Sequence, residues 1–167
     1  GLIMPPSTMD GLNPIESDVE QSQQSEQLVL CMLEELGCFD GKSLASMKLE
    51  NYWHPDFMWY GPAGIGMTRG IDDFRKNHQG PFVFSFPDRV VDHKAAIIKK
   101  GNYVSTGGWP HMHGSHLAGG WLGLPPSGIK LELRVIDIWR RENDLLKENW
   151  VGIDIIHMCK QMGLDVF

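Results

Sequence analysis

The chain has 167 residues, a formal charge of −6 and 42% hydrophobic residues, with six tryptophans. That length fits one domain with room for a buried core, and the acidic balance argues against a general nucleic-acid binder, which carries a basic stripe. No run of about 18 apolar residues occurs, so no membrane span is expected; Cys31, Cys38 and Cys159 are odd in number and lack CxxC spacing, which fits free thiols in a reducing, cytoplasmic setting.

Residues 1–16 are rich in Pro, Ser and Gly, without the basic and apolar regions of a secretory signal, and are expected to form a disordered arm. Residues 17–167 are expected to form a single α+β domain. Ser17 or Asp18 caps a predicted helix running to Gly37, with Leu28, Cys31, Met32, Leu33 and Leu36 as its apolar stripe. Ser43 caps a shorter helix that Pro55 ends. FMWYG (57–61) reads as a strand and PAGIGMTRG as a loop. Gly70 opens a short helix, IDDFRKNHQ, with Ile71, Phe74 and His78 on one face. RVVDHKAAIIKKG reads as a strand. NYVSTGGWPHMHGSHLAGG reads as a long strand broken by glycines and bulged, and WLGLPPSG as a loop. HMCKQMGLDVF ends the chain in a turn or helix. Helices first, then antiparallel strands around one short helix, give an α+β arrangement: a curved sheet closed by the amino-terminal helices, with a ligand cavity between them.

The strongest chemical signal lies in IKLELRVIDIWRRENDLLKENWVGIDII, residues 129–156. It reads as two antiparallel strands joined by a polar turn at Glu142-Asn143-Asp144. Leu131, Leu133, Val135, Asp137 and Trp139 share one face by the period of two. Asp137 therefore stands where the pattern asks for an apolar residue. An unpaired buried carboxylate costs several kcal/mol, so Asp137 either lines a cavity or has a buried partner such as Arg69 or Arg75. Asp154 is the second acidic residue among apolar neighbours. A two- or four-residue turn sets Asp137 opposite Trp150, with the two carboxylates roughly 13 Å apart; a three-residue turn sets it opposite Asn149. Neither register makes the close pair, about 5 Å apart, of a retaining glycosidase.

His111-Met112-His113-Gly114-Ser115-His116 has the look of a metal motif. On a strand His111 and His113 share a face, but no third ligand is evident, so no metal is expected. His113 is the preferred general acid or base, because imidazole titrates near neutrality, with Asp137 orienting it or acting itself. Trp59, Trp109, Trp121 and Trp150, with His54, Tyr60, His78 and His111, are candidates for the cavity wall. Asp154 is a further catalytic candidate, or pins the carboxy-terminal segment.

HPDFMWYGP, GIDDFR, FPD, WLGLPPSG, the strand bearing Asp137 and Trp139-Arg140, ENWVGID and QMG occur in the order and spacing of the SnoaL-like family. The resemblance covers about residues 20 to 165. It implies the cone-shaped α+β barrel of the nuclear-transport-factor-2-like superfamily. It also implies a relation to polyketide cyclases that close a ring by intramolecular aldol condensation without metal or cofactor. Carried over by position, the family's pocket histidine falls on Asp137 and its acid/base aspartate on Val151. Asp154 matches an aspartate many relatives carry. The expected function is a cofactor-independent cyclase, isomerase or hydratase acting on a hydrophobic carbonyl compound; the alternative is a protein that binds such a molecule without chemistry. A homodimer paired through the outer sheet face is expected in either case, and a pure interaction module is the third possibility.

Overall fold

The structure is a computed structural model that describes residues 19–91 and 96–166. The expected arm and the capping Ser17 and Asp18 lie outside the described residues. Helix α1 (Val19–Leu36) buries Ser22, Ser25, Val29, Met32 and Leu33, a face of mixed three- and four-residue spacing. Two serines thus open a stripe the sequence reading drew as apolar. The Ser25 hydroxyl donates to the Gly101 carbonyl at 2.8 Å, and Ser22 Oγ accepts from the Gly101 amide at 2.8 Å, which ties α1 to a strand turn. Ser43 caps a 3₁₀ turn over Leu44–Met47 through its side-chain oxygen.

Strand β1 (Trp53–Tyr60) starts earlier than expected and contains Pro55. Its register against β7 shifts between Trp53 and Met58, so Pro55 sits where the ladder is already interrupted. Strand β2 (Met67–Arg69) folds back on β1. Three helical pieces follow without a break: α2 (Gly70–Phe74), a π-helical turn over Arg75–Gln79, and α3 (Gly80–Ser85). The apolar run at 80–85 therefore prolongs the short helix. Pro81 has no N–H to give an unbroken α-helical ladder, and the wider turn before it accommodates that loss.

Strands β3 (Val90–Val91), β4 (Ile97–Lys100), β5 (Tyr103–Ser115), β6 (Lys130–Glu142) and β7 (Leu145–Ile153) complete the sheet, and α4 (Ile155–Gln161) closes the chain. The order is β2-β1-β7-β6-β5-β3, with β4 also on β5. The β1–β7 pair is parallel, a correction to the antiparallel expectation; the other pairs are antiparallel.

Two irregularities bend the sheet. The β5–β6 register shifts between Gly108 and Met112, and the β6–β7 register shifts between Arg140 and Arg141. Gly107 lies so close to β6 that a Cβ would sit 2.6 Å from the Val135 carbonyl oxygen. The curved sheet wraps α1 and the α2–α3 helix. One core cluster joins α1 to Trp53, Phe57, Trp59, Phe74 and Trp139. A second joins Phe86, Met112, Trp121, Leu131 and Leu133 to Met158 and Cys159 of α4.

Candidate functional site

A cavity of about 470 Å³ opens between the two clusters, walled by α1, the α2–α3 helix and the concave face of β5, β6 and β7. Aromatic and aliphatic side chains dominate the wall. Its polar groups are His78, Gln79, Arg89, His111, Asp137 and Asn149.

Asp137 projects into this cavity. The alternation along β6 is regular, with Leu131, Leu133, Val135, Asp137 and Trp139 all buried, so the backbone gives the carboxylate no other direction. Its exposure is 9%. Neither arginine considered as a partner reaches it: Arg69 pairs with Asp56, and Arg75 with Glu50. Asn149 Nδ2 instead donates to Asp137 Oδ1 at 3.2 Å, and to the Ile138 carbonyl at 3.3 Å. Burial in an apolar wall disfavours the charged form and pushes the Asp137 pKa up to about 7, against a smaller opposing pull from the Asn149 hydrogen bond. The carboxyl group is thereby poised between acid and base near neutrality.

The register that places it was neither of the two expected. The turn has two residues, Asn143 and Asp144, with Asn143 at φ 54°. A bulge at Lys147 then adds one residue to β7, so Asp137 stands opposite Val151, and Trp139 opposite Asn149.

His78 forms the facing wall. Its ring stacks on Trp59 at 4.0 Å and on Phe82 at 5.7 Å, and desolvation lowers its pKa to about 3. The imidazole is therefore neutral at physiological pH. Among the described residues its Nδ1 has no hydrogen-bond partner, and neither has Gln79 Oε1 or Trp53 Nε1, all three buried on side chains that line the cavity. Buried polar atoms are nearly always paired, so three orphans around one cavity mark a place where a polar ligand atom has donors and acceptors to meet. The π-helical turn puts His78 and its neighbour Gln79 in the wall together, as such turns do at functional sites.

The other candidates divide clearly. Trp59 and His111 line the cavity. His113 does not: it pairs with Glu132 on the outer face, because the β5 bulge breaks the two-residue period between it and His111. His116 is buried against Phe86, with Nδ1 accepting from the Ser127 amide at 3.3 Å. The three histidines of the motif thus face three separate environments, and among the described residues no group of three His, Cys, Asp or Glu is placed to hold a metal.

Asp154 caps α4, accepting from the His157 amide at 2.9 Å, and pairs with Arg134 at 3.3 Å. Tyr60 and Trp150 stack on each other at 5.4 Å on the outer face, where the Tyr60 hydroxyl donates to Glu148 at 3.1 Å. His54 accepts from the Asp56 amide at 3.0 Å and lies 2.9 Å from Lys147 Nζ. Trp109 is 64% exposed, and Trp121 belongs to the second core cluster. None of these lines the cavity. Asn149, Gln79 and Arg89 are polar wall residues that were not among the sequence candidates.

A curved α+β sheet around a largely apolar cavity with a few convergent polar groups defines a small-molecule pocket protein. The SnoaL-like polyketide cyclase family matches residues 38–162, and the chain belongs to that family. Among solved structures, a SnoaL-like protein from Jannaschia sp. CCS1, a candidate polyketide cyclase, superposes with a TM-score of 0.71 at 17% identity, over 99% of each chain. IdmH, a candidate polyketide cyclase from Streptomyces antibioticus, gives 0.65 at 21% identity, over 84% of this chain and 99% of that one. An NTF2-like protein from Burkholderia thailandensis gives 0.65 at 18% identity, over 83% and 96%. These structures establish the nuclear-transport-factor-2-like cone fold. A search of curated protein sequences returned no match. Among the described residues no helix is long and apolar enough to cross a membrane.

Proposed function

We propose that the protein is a cofactor-independent enzyme that moves a proton at carbon next to a carbonyl, in a cyclisation, isomerisation or hydration of a hydrophobic carbonyl compound. The observation that carries this reading is Asp137: a carboxyl group buried in an apolar cavity wall, with no cation paired to it among the described residues, held by Asn149 and titrating near pH 7. In its charged form it takes the proton; in its neutral form it returns one. The neutral His78, stacked between two aromatic rings, is suited to hydrogen-bond the oxygen on which enolate charge develops. A neutral imidazole polarising a carbonyl is an established device. The largely apolar wall limits water around the intermediate.

The family's acid/base aspartate falls on Val151 by resemblance. Position 151 stands directly across from Asp137, and opposed side chains in such a pair have Cβ atoms about 4.5–5.5 Å apart. A carboxylate on β6 thus serves the same region of the cavity as one on β7.

The test is exchange of the α-protons of 1-tetralone in D₂O, followed by NMR. The wild type should accelerate exchange with an inflection near pH 7, and Asp137→Asn should abolish the acceleration. Binding of 1-tetralone with no exchange in the wild type would favour the second reading, a non-catalytic carrier, for which the apolar Val151 speaks.

We also propose a homodimer through the outer sheet face. Ile136 and Ile138 alternate outward along β6 and are 46% and 41% exposed, an apolar strip on the outer face.

A further inference from the structure

The cavity wall holds one guanidinium, and no carboxylate among the described residues answers it. Among the described residues Arg89 is the one lysine or arginine lining the cavity, and no ion pair among them includes it. Among the described residues its donors make only long contacts, to the Leu36 carbonyl at 3.4 Å and to Met47 Sδ at 4.0 Å. The first places the charge at the carboxy-terminal end of α1, a favourable site for a cation, yet it engages one N–H of a group that has five. Leu36, Phe39 and Val90 share its part of the wall.

The side chain is held ready. Its guanidinium lies over the Phe39 ring, 5.5 Å from the centroid. Its backbone is pinned on both sides. Asp88 accepts from the Ser115 amide and hydroxyl, each at 2.7 Å. Gly114 has no side chain to keep it away, since a Cβ there would lie 3.1 Å from the Arg89 Cα. Gly114 is opposite Leu131, six residues along β6 from Asp137, so Arg89 and the acid/base group are offset by roughly 20 Å along the strand direction by a rise of about 3.3–3.4 Å per residue.

We propose that Arg89 is the anchor for an anionic group of the ligand, so that the cavity takes a hydrophobic carbonyl compound that carries a carboxylate. The planar fork of donors binds a carboxylate through two parallel hydrogen bonds, and that pairing is strong where water is thinned out. The anion fixes one end of the molecule, and the apolar walls guide the other toward Asp137. Desolvation lowers the Arg89 pKa, and no anion among the described residues offsets it. A bound carboxylate supplies that missing charge.

The proposal rests on the small-molecule-pocket reading, and one pair of probes separates the two. 2-Naphthoate and 2-naphthamide have the same shape and differ in charge. Calorimetric titration at about pH 6, where Asp137 is mostly protonated, should show the wild type binding the naphthoate at least about tenfold more tightly. Arg89→Gln should abolish that preference while keeping the naphthamide affinity. Equal affinity of the wild type for both ligands, or a full preference in Arg89→Gln, would overturn the anchor and leave the pocket standing. Failure of the wild type to bind either would remove the pocket reading and the anchor with it. Should Arg89→Gln lose both ligands, Arg89→Lys decides: a retained preference supports the anchor, and a lost one overturns it.

Discussion

Asp137 and Val151 face each other across β6 and β7 on the cavity side of the sheet. One is a carboxyl group held near its midpoint of ionisation, the other an aliphatic side chain that helps to desolvate it. Because no second carboxylate lies opposite, the shift of Asp137 comes from burial and not from charge repulsion.

That shift sets a cost on folding. The Asp137 pKa is raised in the folded chain, so between about pH 4 and pH 7 the folded state holds more protons than the unfolded state, and stability falls as pH rises through this window. A displacement of about three pKa units corresponds to about 4 kcal/mol, fully expressed above pH 7. Asp137→Asn should therefore unfold at higher urea than the wild type at pH 8 and at nearly the same urea at pH 4. In the exchange assay the same variant should lose about 10²–10⁴ in rate, the range of a general acid or base.

His78 acts with the opposite sign. Its pKa is lowered to about 3, so the unfolded state binds more protons between pH 6.5 and pH 3, and stability is lost as pH falls through that range. The two slopes offset each other in the wild type over their shared window. Asp137→Asn should expose the rising limb of His78, and His78→Gln the falling limb of Asp137. Denaturation midpoints across the pH range check both.

Asp154 is assigned to structure. Removing a cap of this kind costs about 1 kcal/mol, and Asp154→Ala should lower stability by that order while leaving 1-tetralone affinity within about twofold. A loss of ligand binding larger than the loss of stability would return Asp154 to the site.

The outer face gives a fourth expectation. Ile138→Lys places a charge in the middle of the exposed apolar strip and should convert a dimer to a monomer in light scattering, with naphthamide binding preserved in the monomer.

Asp137 was legible in the sequence because β6 keeps its period of two from Lys130 to Trp139, and one carboxylate in an apolar row stands out. Its cross-strand neighbour was not legible. Register depends on the bulge at Lys147, and nothing in DLLKENW distinguishes a bulged from a regular strand. The histidines failed for a related reason. Gly107-Gly108 and Pro110 signal an irregular β5, but not where the period resumes, and a shift of parity exchanges His113 for His111 at the cavity. Arg89 follows Phe-Pro-Asp in a segment that reads as a turn, and its relation to α1 is purely tertiary. The curved sheet closed by helices, by contrast, followed from the order of helices and strands, and its cone shape from the family resemblance, although the parallel β1–β7 pair is invisible locally because its partners lie far apart in the chain.

The π-helical turn at Arg75–Gln79 makes the roof of the cavity two faces joined by a hinge of fixed angle. Each residue of an α-helix turns the chain by about 100°, so removing one residue from this stretch would rotate Phe82 and Val83 away from the lumen while leaving Phe74 in place. The shape of the chamber is therefore sensitive to helix length as well as to side-chain identity, and a single-codon deletion is a more drastic way to retune what it admits than any point change in its lining.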